Sequence, residues 1–83
     1  MKAKMRTYMV VEHFKEGCWE TAYVRFHEKG RLLPNGLSYV NSWANKEKSV
    51  CYQLMQTTRP ELFDVWFERW SDLVDFELIM VDP

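Results

Sequence analysis

Phe67-Glu68-Arg69-Trp70-Ser71-Asp72-Leu73-Val74-Asp75-Phe76-Glu77 (FERWSDLVDFE) runs from a tryptophan-bearing helical stripe into an apolar strand pattern with hardly a linker. No Gly, Pro or Asn separates the two periods, so packing rather than turn residues must enforce the change. On the N-terminal side, Leu62, Phe63, Trp66, Phe67 and Trp70 keep helical spacing. Thr58-Arg59-Pro60-Glu61 precedes them with the pattern of a capping box, in which Thr58 accepts from the first turn and Glu61 reaches back. On the C-terminal side, Asp75 to Val81 (DFELIMV) reads as the last strand.

Further upstream, Leu37 to Ala44 (LSYVNSWA) and Ser49 to Thr57 (SVCYQLMQT) are β-like runs flanking Asn45-Lys46-Glu47-Lys48, and they should pair antiparallel as a hairpin. Arg31 to Gly36 (RLLPNG) is a turn around Pro34-Asn35-Gly36. Trp19, Ala22, Tyr23 and Phe26 at i, i+3, i+4 and i+7 mark a first helix that Gly30 suits as its C′ residue. Arg6 to Phe14 (RTYMVVEHF) is the first strand. The order βαββαβ is that of the ferredoxin-like split βαβ plan, an α+β fold with a four-stranded antiparallel sheet and both helices on one face. A sheet half exposed to water would alternate apolar and polar residues. Tyr8-Met9-Val10-Val11 and Leu78-Ile79-Met80-Val81 are instead apolar at consecutive positions, so the face away from the helices is expected to meet a second sheet in a homodimer.

The 83 residues make one domain, 1–83, and the 47% hydrophobic and 16% aromatic content is rich for such a length, which again favours oligomerisation. Cys18 and Cys51 stand apart without a CxxC, so neither a disulfide framework nor a zinc site is indicated, and a reducing cytoplasm fits best. Lys2, Lys4 and Arg6 precede an apolar run too short for a signal peptide, and no segment is long and apolar enough to span a membrane. A net charge of −1, with seven acids against Arg69 alone in residues 61–83, disfavours nucleic acid as a partner. RNA-recognition domains share the βαββαβ order, but Lys48-Ser49-Val50-Cys51-Tyr52-Gln53 lacks their glycines and paired aromatics. Without GxGxxG or GxxxxGK[ST] loops no nucleotide cofactor is expected, and without an HxxxH pair no metal is.

Three motifs in order carry a resemblance: RLLPNGLSYVNSW at 31–43, CYQLM at 51–55, and Pro60-Glu61-Leu62-Phe63 leading to RWSDLVDFE at 69–77. They are similar to the small bacterial family named domain of unknown function 3303, over nearly the whole chain. The resemblance implies a ferredoxin-like domain of the dimeric α/β-barrel type and brings no established reaction with it.

For the site, a hairpin register placing Trp43 beside Cys51, Asn41 beside Gln53 and Tyr39 beside Met55 collects Tyr39, Asn41, Trp43, Cys51, Gln53 and Met55 on one face. Val40, Ser42, Ala44, Val50, Tyr52 and Leu54 then pack under the helices. The first set mixes apolar walls with amides and an indole donor, as an orienting pocket for a small organic ligand requires, with Glu12 and Arg25 at its rim. A slip of one residue would exchange the faces. His13 is a weak candidate for a catalytic base: Glu12 precedes it, but adjacent strand residues point to opposite faces. Cys18 at the start of a helix invites a thiolate reading, which Glu16 and Glu20 oppose, and Cys51 reads as a small core residue. The leading expectation is a dimer that binds a small organic molecule between its sheets. The alternatives are a cofactor-independent enzyme using the same cavity and a purely structural or protein-interaction dimer.

Overall fold

The computed structural model describes residues 4–81; Lys2 and Asp82, counted above in the basic and acidic runs, lie outside them. Six elements follow one another as β1 (Arg6–Phe14), α1 (Trp19–Lys29), β2 (Ser38–Ala44), β3 (Val50–Thr57), α2 (Leu62–Glu68) and β4 (Val74–Met80). The strands form one antiparallel sheet in the order β2-β3-β1-β4, which is the ferredoxin-like arrangement expected from the sequence.

The period change at 67–77 is made without glycine. The helix tightens as it ends, with Arg69 N–H donating to Trp66 O, Trp70 to Phe67 O, and both Leu73 and Val74 to Trp70 O. Trp70, Leu73 and Val74 are buried, so this turn sits under the core and is held by it. Two cations fix it from outside. Lys15 Nζ donates to Ser71 O at 2.9 Å, and Arg25 donates to Arg69 O at 3.0 Å and to both oxygens of Asp72 at 2.9 and 2.6 Å.

The helices cover the sheet face that carries Tyr8, Val10 and Met55, onto which α2 and its exit turn set Leu62, Phe63, Trp66 and Trp70. Phe63 meets the Tyr8 ring edge-on at 5.0 Å, and Phe67 stacks on Phe76 at 4.2 Å. α1 adds Ala22 to the core and ends at Gly30, whose φ of 70° and N–H bond to Phe26 O fit the expected C-terminal role.

Two local expectations are corrected. Thr58 does not cap α2. The neighbouring Thr57 does the comparable work, accepting from Arg59 N–H at 3.0 Å while donating to Gly36 O at 2.8 Å, and the Glu61 carboxylate takes the Arg59 side chain at 3.2 Å. Thr57 ties the hairpin exit to the RLLPNG turn, a long-range bond that local spacing does not reveal. The second correction is the hairpin register. Tyr39 faces Met55 as expected, but an irregularity between Tyr39 and Asn41 shifts the rest, so that Asn41 faces Leu54, Ser42 faces Gln53, Trp43 faces Tyr52 and Ala44 faces Cys51. A bulge of one residue reverses which side chains share a face beyond it. The loop itself is organised by Asn45, whose side chain accepts from Ser49 and Val50 N–H and donates to the Ser49 hydroxyl, with Lys48 at φ 57°.

Candidate functional site

Because cross-strand partners share a face, Tyr8, Val10 and Glu12 of β1 point the same way as Met55, Gln53 and Cys51 of β3. Toward the Tyr8 end this face is closed by α2. Toward the Glu12 end a cavity of about 250 Å³ remains between sheet and helices. Its floor is Glu12, Cys51, Gln53 and Ser42, its wall is Trp19, Ala22, Tyr23 and Phe26 of α1, and Trp66 and Trp70 close the opposite side, with Phe14 and Arg31 completing it.

The chain crossing from α1 to β2 forms a strap anchored beside this cavity. Arg31 O accepts both indole N–H groups, from Trp66 at 2.8 Å and Trp70 at 2.9 Å, and Leu32 O accepts Arg69 Nη1 at 2.7 Å. Leu32 has φ 60°, a left-handed conformation that a non-glycine residue keeps only when its surroundings hold it there. The same anchoring directs the Arg31 side chain across the cavity. Its guanidinium lies 3.5 Å from the centre of the Tyr39 ring and 5.0 Å from that of Phe26, and its Nε donates to Gln53 Oε1 at 3.3 Å. Gln53 Nε2 in turn donates to Glu12 Oε1 at 2.6 Å. The Tyr39 hydroxyl is paired with Ser42 Oγ at 2.7 Å.

Glu12 is 6% exposed. Burial pushes its carboxyl above the usual carboxylate range, against the bonds from Gln53 and Cys51 and the positive charge of Arg31, which pull it down. Burial and the adjoining Glu12 charge and hydrogen bond push the Cys51 thiol up to about 12, despite Arg31. Cys51 is therefore a neutral donor to the carboxylate and no nucleophile. A buried carboxyl with a raised pKa in an aromatic cavity can exchange a proton with a bound molecule, or accept a hydrogen bond from it, within a low-dielectric space.

The residues expected in one pocket are divided by the fold. Cys51 and Gln53 line the cavity and Tyr39 braces Arg31 beside it, all on the helix side of the sheet. Asn41 and Trp43 pair with Leu54 and Tyr52 and so lie on the opposite face, the reverse of the expected grouping, because of the bulge after Tyr39. Leu54, Tyr52 and Val50, expected under the helices, likewise belong to the opposite face, whereas Ser42 does lie on the helix side. Glu12 is on the floor rather than at a rim. Arg25 does not line the cavity; it is committed to Asp72 and lies 5.3 Å from the Trp70 ring, whose other contacts it backs. His13 faces away from the cavity and pairs with Glu77 at 3.1 Å on the open side, which separates it from Glu12 as strand alternation requires. Among the described residues no three His, Cys, Asp or Glu side chains gather closely enough to hold a metal ion.

Arg31 and the α1 aromatics were not singled out for the site by sequence. For Glu12 a signal existed: it continues the Tyr8, Val10 alternation at period two, which puts a carboxylate on a core-facing position. Arg31 carried none, since its position over Tyr39 depends on tertiary anchoring of its own carbonyl.

The whole arrangement defines a ferredoxin-like domain with a cavity under its helices. A solved structure from Bacteroides thetaiotaomicron, provisionally described as an antibiotic biosynthesis monooxygenase, superposes with a TM-score of 0.60 over 96% of this chain and 90% of that one, at 19% identity. At that identity the likeness concerns the fold. Residues 6–81 match the family model described as Domain of unknown function (DUF3303), and the chain belongs to that family. A comparison with curated proteins finds no match.

Proposed function

We propose that the chain binds a small organic molecule in the cavity between its helices and sheet, as a homodimer joined through the opposite sheet face. The observation that carries the binding reading is the Glu12 carboxyl on the floor of a space walled by Trp19, Phe26, Trp66 and Trp70. Aromatic walls with few, fixed polar groups are the composition of small-molecule sites, and about 250 Å³ lies just below the usual ~300–1,000 Å³ range, which favours a compound of one or two rings. The dimer reading rests on the exposed large side chains Trp43, Tyr52 and Ile79 on a face that no helix covers. Free Cys18 and Cys51 thiols suit a reducing cytoplasm.

An enzyme without a cofactor is the second reading, favoured by the raised Glu12 carboxyl, which would act as acid or base on the bound molecule. The oxygenase description of the Bacteroides protein is compatible with it and adds a reaction class to try. A thermal-shift screen of one- and two-ring metabolites tests binding. Hits should stabilise the wild-type protein and fail with Ala22→Leu, which fills the cavity from α1; stabilisation unaffected by that change, or no hit at all, would count against the site.

A further inference from the structure

The Arg31 guanidinium has an incomplete set of partners. Of its five N–H donors only Nε is engaged, with Gln53, and no carboxylate lies within ion-pairing distance of it among the described residues. The Tyr39 and Phe26 rings lie against it and cover part of its faces, which leaves its edge for a further partner. Arg31 is one of the residues that line the cavity. Glu12 does not supply the missing charge by direct contact, because the Gln53 amide stands between them, accepting from Arg31 and donating to Glu12.

We infer that the cavity takes a small aromatic carboxylate, whose carboxylate docks on the Arg31 terminal nitrogens while Glu12 takes up a proton from solvent. The inference rests on the binding reading above and specifies its ligand class. Planar, two-pronged recognition is what a guanidinium offers a carboxylate, and the indoles of Trp66 and Trp70 are placed for the aromatic body. Two anions in one buried space repel, so the occupied site is stable with Glu12 neutral. Burial already biases Glu12 toward that state. The titratable or charged groups facing Glu12 are Cys51 from β3, Arg31 from the strap and Tyr23 from α1; α2 contributes none among the cavity residues.

Calorimetric titration with 2-naphthoate and its neutral analogue 2-naphthamide, in buffers of differing ionisation enthalpy, tests the inference. The wild-type protein should prefer the acid by about tenfold or more, the scale of a charge-assisted hydrogen bond. Binding of the acid should be accompanied by net proton uptake and tighten as pH falls. Glu12→Gln should bind the acid at least as tightly without the uptake. Arg31→Met should bind both compounds alike. Equal wild-type affinity for acid and amide, uptake that persists in Glu12→Gln, or a preference that survives Arg31→Met would each overturn the inference. If Arg31→Met fails to fold, the wild-type preference and the Glu12→Gln titration decide it. Binding of the amide without preference defeats the ligand class and leaves the cavity reading standing, whereas binding of neither compound defeats both.

Discussion

The two faces of one sheet are built from alternate residues of the same strands, yet they have opposite fates. On the helix side Val10 and Met55 are 0% exposed; on the other side Trp43 is 50%, Ile79 45% and Tyr52 40% exposed. Val11, at the centre of the open face, is buried but stands outside the core cluster. The consecutive apolar residues of β1 therefore serve two surfaces, and the two helices can cover only one. The difference teaches that apolar content beyond what one helix layer consumes is a statement about a further surface, not about a larger core.

The largest effect should come from the helix side. Trp66→Ala removes a side chain 1% exposed together with one of two donors to Arg31 O, and the loss of a buried aromatic costs about 3–5 kcal/mol. Chemical denaturation should show that loss, and Trp70→Ala a related one; a wild-type transition would mean that the strap and cavity wall do not depend on these rings. Trp43 on the open face sharpens the comparison. In the proposed homodimer, Trp43→Glu should leave the chain folded but weaken association by about 2 kcal/mol or more, as loss of an aromatic interface anchor does, and light scattering at low micromolar concentration should shift toward the monomer relative to wild type. Unfolding of this variant, or an undisturbed dimer, would break the assigned division between the faces.

A smaller effect is expected at Glu12, and its sign depends on pH. A carboxyl whose folded pKa lies above its unfolded value favours folding most when protonated, and that contribution is lost as pH rises from the ordinary carboxylate range through the raised value. Glu12→Gln should therefore gain on the wild-type protein as pH rises toward neutrality. Parallel stability profiles for the two proteins would show that Glu12 is not held in a desolvated site. The smallest effect belongs to the surface clamp. Arg25 holds the Asp72 carboxyl below its ordinary range, so its contribution is present above that range and fades as pH falls through the depressed value. Asp72→Asn should lower the melting temperature slightly at neutral pH and match wild type in acid. An equal deficit at both pH values would assign the change to the turn and not to the ion pair.

The sequence by itself determined the six elements, their order and the excess of apolar residues on the strands, because helical and strand periods are local properties that a few residues' spacing records. It also placed Trp66 and Trp70 on the inner stripe. What only the tertiary structure decided was which hairpin residues share a face and what meets above the sheet. One bulge after Tyr39 sent Asn41 and Trp43 to the side opposite Gln53, since side-chain direction in a strand has a period of two and any odd insertion inverts it. Arg31 reached the cavity for a different reason. Its carbonyl is held by indoles 35 and 39 residues away, and contacts at such separation leave no mark in local spacing.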